Sequence, residues 1–261
     1  MSTINSSILV RISIFFFLSG GLALLEAFFP LRRSLMNRRT RWTLNFGVSF
    51  FNYFLLKGMG YLSIFSVADV ARMNPWGVFR LLEAPKVVEI LLSVCIMDLA
   101  IYWQHRIFHR VPYFWRWHRF HHADEEFDIS TGVRFHPVEM VFSYLYKLIL
   151  VFVFGISPMA YLIFEICLSS AALISHSNIR LPSLGERYLR MFLVTSDMHR
   201  IHHSRRPSEA HSNFSFFLSL WDRIFSSYCP TAKSKQEIMA IGLPNRDDES
   251  RSLASQAINA S

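Results

Sequence analysis

The chain has 261 residues, with 27 Lys and Arg against 19 Asp and Glu and a formal net charge of +8. Hydrophobic residues make up 52% and charged residues only 18%, below the ~25% charged content of soluble domains. That balance excludes disorder, collagen and small disulfide scaffolds, and it points to a polytopic membrane protein with polar parts attached.

A spanning helix needs about 20 mostly apolar residues. The first such block covers residues 8–29, interrupted only by Arg11 and Glu26 near its ends. It lacks the basic leader and small-residue cleavage site of a signal peptide. Residues 31–42 follow, with Arg32, Arg33, Arg38, Arg39 and Arg41 and no acid. The positive-inside rule puts that loop in the cytoplasm. A second block, residues 44–67, is expected to lead back out, and residues 69–85 form a mixed connector. The third block, residues 87–108, returns to the cytoplasmic side with His105 and His109 near its end.

Residues 110–137 are polar and dense in His, Arg and acids. Two apolar blocks come next, residues 138–154 and 159–174, split by Gly155, Ile156, Ser157 and Pro158. They read as a tight helical hairpin whose two ends return to the cytoplasm. Residues 175–230 are polar with amphipathic helical stretches. From Thr231 the chain reads as a loose polar tail. The expected fold is all-α: an integral membrane bundle of four or five hydrophobic helices under a cytoplasmic, histidine-rich helical cap. Residues 1–94 are the N-terminal membrane helices, 95–230 the catalytic unit and 231–261 the C-terminal tail. Cys95, Cys167 and Cys229 are far apart and lack metal-ligand spacing, so they read as small hydrophobes without a disulfide. No basic stripe interleaved with aromatics points to nucleic acid.

All eleven histidines fall between His105 and His211. Eight form three clusters: His105 and His109; His118, His121 and His122; His199, His202 and His203. On a helix, residues i, i+3 and i+4 share a face, with Cβ atoms ~5–6 Å apart. A His-x-x-His-His triplet therefore offers two imidazoles to one ion and a third to its neighbour. Eight nitrogens are too many for one tetrahedral zinc and suit two metals. Imidazole binds Fe, Zn, Cu and Ni, so ligand type leaves the metal open. A single His-x-x-x-His pair would read as surface histidines. Two triplets beside a helix-borne pair read as a metal centre.

These residues carry a resemblance. Asp98 through His109, and Trp117-His118-Arg119-Phe120-His121-His122, resemble the first half of the fatty acid hydroxylase/sterol desaturase superfamily. Arg134-Phe135-His136-Pro137, Ser175-His176, His199 through His203 and Trp221-Asp222-Arg223 resemble its second half, in the same order. The resemblance implies a membrane-bound di-iron oxygenase that uses O2 to hydroxylate or desaturate lipids or sterols, or to cleave alkylglycerol ethers. It implies His105, His109, His118, His121, His122, His199, His202 and His203 as ligands of two iron ions, with zinc able to replace iron in purified samples. His176 is similar to a further family ligand. His136 and His211 stand between ligand and structural roles. The chain departs from the pattern at Asn213-Phe214-Ser215, where the family has Asn-Tyr-Gly, and at Ser226, where it has Gly.

Asp98 stands seven residues before His105, on nearly the same helix face. An acid inside an apolar span is expensive, so Asp98 is expected to orient a ligand histidine. Asp124, Glu125, Glu126, Glu139, Asp197 and Asp222 are other carboxylates for that role or for salt bridges. Nothing resembles a haem or ferredoxin domain, and no dinucleotide-binding glycine motif is present. Electrons are therefore expected from a separate donor of ferredoxin, cytochrome b5 or reductase type. The expected setting is a bacterial inner membrane or the endoplasmic reticulum, with the site on the cytoplasmic face. A metal transporter, a zinc hydrolase and an inactive homologue are the competing readings.

Overall fold

A computed structural model describes residues 2–34, 36–59, 64–73 and 77–243. Among these residues twelve α-helices follow one another: α1 (Ser2–Phe28), α2 (Arg38–Gly58), α3 (Ile64–Met73), α4 (Val78–Leu81), α5 (Lys86–Arg110), α6 (Pro112–His122), α7 (Pro137–Phe154), α8 (Pro158–Ser175), α9 (Ser183–Leu189), α10 (Ser196–His202), α11 (Pro207–Ala210) and α12 (Leu220–Ile224). Among the described residues only isolated bridges have β character. Four segments of the described residues are long and apolar enough to cross a membrane: Leu9–Phe28, α5, α7 and α8.

The hairpin forms where the sequence places it. α7 ends at Gly155, whose φ of 68° lies in the left-handed region, a conformation that costs glycine nothing. Ser157 then caps α8 by accepting from the Ala160 amide, and Pro158 opens the first turn. α8 packs against both α1 and α5. Met97 and Ile101 of α5 meet Val151, Ala160, Tyr161 and Phe164 of the hairpin in the main apolar core. One polar cluster sits inside this bundle. The Glu165 carboxylate accepts from Arg11 at 2.7 Å, Lys147 at 2.5 Å and the Tyr161 hydroxyl at 2.7 Å. A buried carboxylate persists only when paired, so this cluster ties α1, α7 and α8 in one arrangement.

The expected second span, residues 44–67, is not one helix. α2 starts earlier, in the arginine-rich segment, and ends at Gly58; α3 resumes at Ile64. Residues 60–63 lie outside the described residues. α2 is too polar to qualify as a span. It carries Arg38, Arg39 and Arg41 in its first turns and buries Arg41, Asn45 and Asn52. That polar face is used by the cap, where Arg41 Nε donates to Asp124 at 2.9 Å. α3 belongs to the main apolar core, with Phe65 edge-on to Tyr161. Together α2 and α3 still run from the histidine end toward the hairpin tip.

The tail also departs from expectation. Met239 and Ile241 are buried against Phe127, the Gly242 amide donates to the His203 carbonyl, and Arg32 donates to the Met239 carbonyl at 2.6 Å. The first thirteen residues after Pro230 thus close over the histidine cap. Residues 244–261 lie outside the described residues.

Candidate metal centre

α5 carries His105 and His109 one turn apart at its end. Pro112 opens α6 at once, and this turn brings His118, His121 and His122 back over them. His176 is the C-cap of α8. α10 is short, opened by Thr195 accepting from the Met198 amide, and it presents His199, His202 and His203. All nine side chains are buried.

They sort into two groups. His105, His109, His118, His122 and His202 form one, and His121, His176, His199 and His203 the other. Within each group the candidate ligand atoms all lie within 4.8 Å of one another. Both triplets divide as their spacing requires. His118 and His122 go to the first group and His121 to the second; His199 and His203 go to the second and His202 to the first.

Five of the nine rings have Nδ1 held in place, whereas Nδ1 of His109, His199 and His203 is buried without a partner among the described residues. Nδ1 of His105 donates to the Phe214 carbonyl at 2.8 Å, that of His118 to Glu139 at 2.7 Å and that of His121 to the Arg134 carbonyl at 3.1 Å. Nδ1 of His176 donates to the Ala172 carbonyl and that of His202 to the Ser212 carbonyl, both at 2.7 Å. Each such bond fixes the tautomer and aims the Nε2 lone pair inward, as in metal-ligating histidines. Nε2 of His105, His118 and His202 has no protein partner although buried. His176 Nε2 stands 3.1–3.3 Å from Nε2 of His121, His199 and His203. Basic nitrogens facing one another in a dry interior are costly unless a cation lies among them. The donor set therefore fits two metal ions.

Electrostatics agree. Burial, then neighbouring imidazoles, hold His121, His122, His199 and His203 well below the ordinary histidine range. Burial takes His176 down to about 4 and His202 to about 3. All six are neutral near pH 7 and ready to ligate. The sign of the linkage follows. An unfolded chain binds these protons near pH 6.5, whereas the metal-free folded chain does not until the pH is far lower. Chelator-stripped protein is therefore expected to lose stability as pH falls from about 6.5 toward 3. Thermal melts across that range check this; a flat profile would contradict it.

Asp98 does not touch any histidine. Its carboxylate accepts from the Phe217 amide at 3.2 Å, the Leu218 amide at 3.0 Å and Trp221 Nε1 at 2.8 Å. Its hydrogen bonds thus go to the loop between α11 and α12 and not to a histidine ring, so the orienting role expected of it would run through that loop. On α5 it points away from the centre. Asp222 holds the same loop from inside, accepting from the Phe214 and Ser215 amides. Together they position the Phe214 carbonyl that aims His105. Among the described residues Glu139 is the carboxylate that hydrogen-bonds directly to one of the nine histidines. Glu139→Ala is expected to weaken metal retention ~10–100-fold, and Glu139→Gln less, because the amide oxygen still accepts; chelator competition reads the difference.

The other carboxylates serve the frame. Asp124 and Asp128 hold Arg41, Asp197 pairs with Arg200 and Glu125 with Arg205, and Glu126 accepts from the Met36 amide. His136 caps α7, accepting from the Val138 amide, and stands outside both groups. His211 lines a cavity of about 230 Å³ with His109, Trp115 and His122. Gly132 was not picked out in the sequence. A Cβ there would stand 2.6 Å from the Ala172 carbonyl oxygen and 3.2 Å from His176 Nδ1, so its bareness protects the bond that orients His176. Of the departures from the family pattern, Ser226 itself has φ 55°, and Phe214 and Ser215 directly follow Asn213, whose φ is 53°. Cys95, Cys167 and Cys229 are free.

An all-helical apolar bundle capped by two buried imidazole groups defines a membrane protein with a histidine-built centre suited to metal. The fatty acid hydroxylase model matches residues 90–227, more than half of the chain, and the chain belongs to that family. It is 28% identical over 162 residues to alkylglycerol monooxygenase of Xenopus tropicalis, covering 59% of this chain and 34% of that protein. It is 24% identical over 144 residues to ornithine lipid hydroxylase OlsE of Rhizobium tropici, covering 55% and 43%. With human lathosterol oxidase the identity is 28% over 176 residues, covering 67% and 54%. The chain thus spans about a third to a half of these relatives' lengths. No solved structure matches it significantly.

Proposed function

We propose that this protein is a multi-pass membrane oxygenase with two iron ions, hydroxylating a lipid C–H bond with O2 and electrons from a separate donor. The observation that carries the reading is the pair of buried groups, five and four imidazoles, with unpartnered nitrogens turned inward. The family is one of iron-dependent oxygenases. Iron held there would supply O2 activation, chemistry no side chain of this protein offers. The chain's own part is to hold, orient and keep dry. His105, His109, His118, His122 and His202 would hold one ion, and His121, His176, His199 and His203 the other. Phe214 packs against His105, His109 and His202, and Phe127 stacks on His176, which excludes water.

The relatives are named for the oxidation of alkylglycerols, ornithine lipids and a sterol, which supports a lipid substrate here. Sterol desaturation and ether cleavage are the alternatives within the family. The catalytic unit is residues 95–230, served by the N-terminal membrane helices, and the donor is of ferredoxin, cytochrome b5 or reductase type. The cytoplasmic side is supported by the arginines, since Arg32 and Arg41 bind directly to the cap. A transporter would carry its ligands on broken helices near the midplane, whereas these lie at helix ends and in the cap.

The test is metal content by mass spectrometry after gentle purification with iron supplied, together with lipid extracts of expressing cells. The expected result is about two iron per chain, as the two imidazole groups require, and lipids gaining one oxygen. Lipids losing two hydrogens would select the desaturase alternative. One metal or none would remove the two-metal reading.

A further inference from the structure

We infer that two short cap segments, residues 189–194 and 217–224, are seated in the acyl layer of the leaflet on the histidine side. Their partner is the hydrocarbon of that leaflet, bordered by its phosphate headgroups. The inference rests on the reading that the apolar helices cross a bilayer, and it adds a lipid contact made by the cap itself.

The first observation is an exposed apolar patch. Leu189, Met191, Phe192, Leu220 and Ile224 are 45%, 54%, 68%, 45% and 54% exposed. The segments lie side by side, with the Ser219 amide donating to the Phe192 carbonyl and the Val194 amide to the Phe217 carbonyl, each at 3.0 Å. A contiguous group of large apolar side chains on a polar cap marks a contact surface.

The second observation is depth. Asp98 joins this patch to α5 through Phe217, Leu218 and Trp221. Trp103 is 38% exposed on α5, and the Arg106 guanidinium lies 5.3 Å over its ring. A Trp–Arg pair at a helix end belongs at the membrane–water boundary. Asp98 is five residues further in, about 8 Å along the helix. The patch it holds therefore lies below the boundary, within the ~5–10 Å reached by interfacial elements.

The third observation is satisfaction of the backbone. Non-helical chain at membrane depth is tolerated only where its polar groups are already bonded. The Phe217 and Leu218 amides end on Asp98, and the Ser219 and Val194 amides on carbonyls of the neighbouring segment. The Arg190 carbonyl accepts from Ser219 Oγ and from Arg223. This accounts for Asp98, whose carboxylate no histidine uses. Exposed Arg187 and half-buried Arg223 and Arg106 border the patch with charge that suits phosphate headgroups.

The experiment places one nitroxide label at a time, at Phe192→Cys or Leu220→Cys, in full-length protein with Cys95→Ala, Cys167→Ala and Cys229→Ala. Glu125→Cys, an exposed charged position of the cap, is the aqueous reference. Protein is reconstituted in phosphatidylcholine/phosphatidylglycerol vesicles, and accessibility to O2 and to a water-soluble nickel chelate is measured. Labels at 192 and 220 are expected to be O2-accessible and nickel-excluded relative to 125. Nickel accessibility equal to that at 125 would overturn the inference. So would shielding from both reagents with spin–spin broadening, which would put a second copy of the chain on the patch. Metal content of each variant, matched to the parent, controls for folding, with Ile224→Cys as replacement position. Iron count and lipid products in the same vesicles report on the oxygenase reading independently.

Discussion

His199→Ala is expected to leave about one metal per chain, and His202→Ala to keep more metal under the same chelator, although both lose lipid product. The reason is the unequal size of the two groups. Removing His202 leaves four imidazoles in the first group, enough for a closed set around one ion. Removing His199 leaves three in the second, with His176 Nε2 losing a neighbour at 3.1 Å. Losing one partner of a ligand typically costs 10–100-fold in affinity or activity, and losing a ligand itself is expected to exceed that. Metal per chain after graded chelator exposure, with product yield alongside, checks the order. Equal retention in both variants would mean that the nine histidines do not divide into these two groups.

Arg41→Ala is expected to lower folding stability by about 3–5 kcal/mol, the range for breaking a buried pair. The Arg41 side chain is 5% exposed and binds Asp124, 2% exposed, and Asp128, 9% exposed. The two carboxylates also take Trp42 Nε1, Asn45 Nδ2, Ser130 and Thr131. This cluster fastens α2 to the loop that leaves His122, so its loss frees one wall of the centre while leaving two carboxylates unpaired. Arg41→Lys keeps the charge but loses the planar fork, and its cost should be smaller. Thermal unfolding in detergent, with bound metal recorded beside it, separates the three proteins. An unchanged midpoint for Arg41→Ala would show that the cluster contributes no stability.

The apolar blocks announced α1, α5 and the α7–α8 hairpin because a bilayer-spanning helix must be built from local sequence, each backbone bond closing within four residues. Eight of the nine candidate ligands were legible for a related reason: i, i+3 and i+4 spacings are a property of one helix, whereas His176 stood out only by the family resemblance. Block 44–67 misled because hydropathy averages over faces. α2 is apolar outside and carries Arg41, Asn45 and Asn52 inside, a pattern whose meaning depends on what α2 packs against. The tail misled likewise: Met239 and Ile241 do not differ in the sequence from exposed Ile238 beside them, and packing on Phe127, over a hundred positions earlier, makes them core.

What orients His105 and His118 had no local signature. His105 is held by a carbonyl 109 positions away and His118 by a carboxylate 21 positions away. Asp98 stood on the expected helix face, yet its partners arrive from residues 217–221, and they redirected it from the histidines to the loop. Residue spacing along each helix thus determined which side chains could share a metal. Which of two groups each histidine joins was decided by the packing of α6, α8 and α10 around the end of α5, and for His105, His118, His121 and His202 a contact from elsewhere in the chain fixes the ring's tautomer and direction.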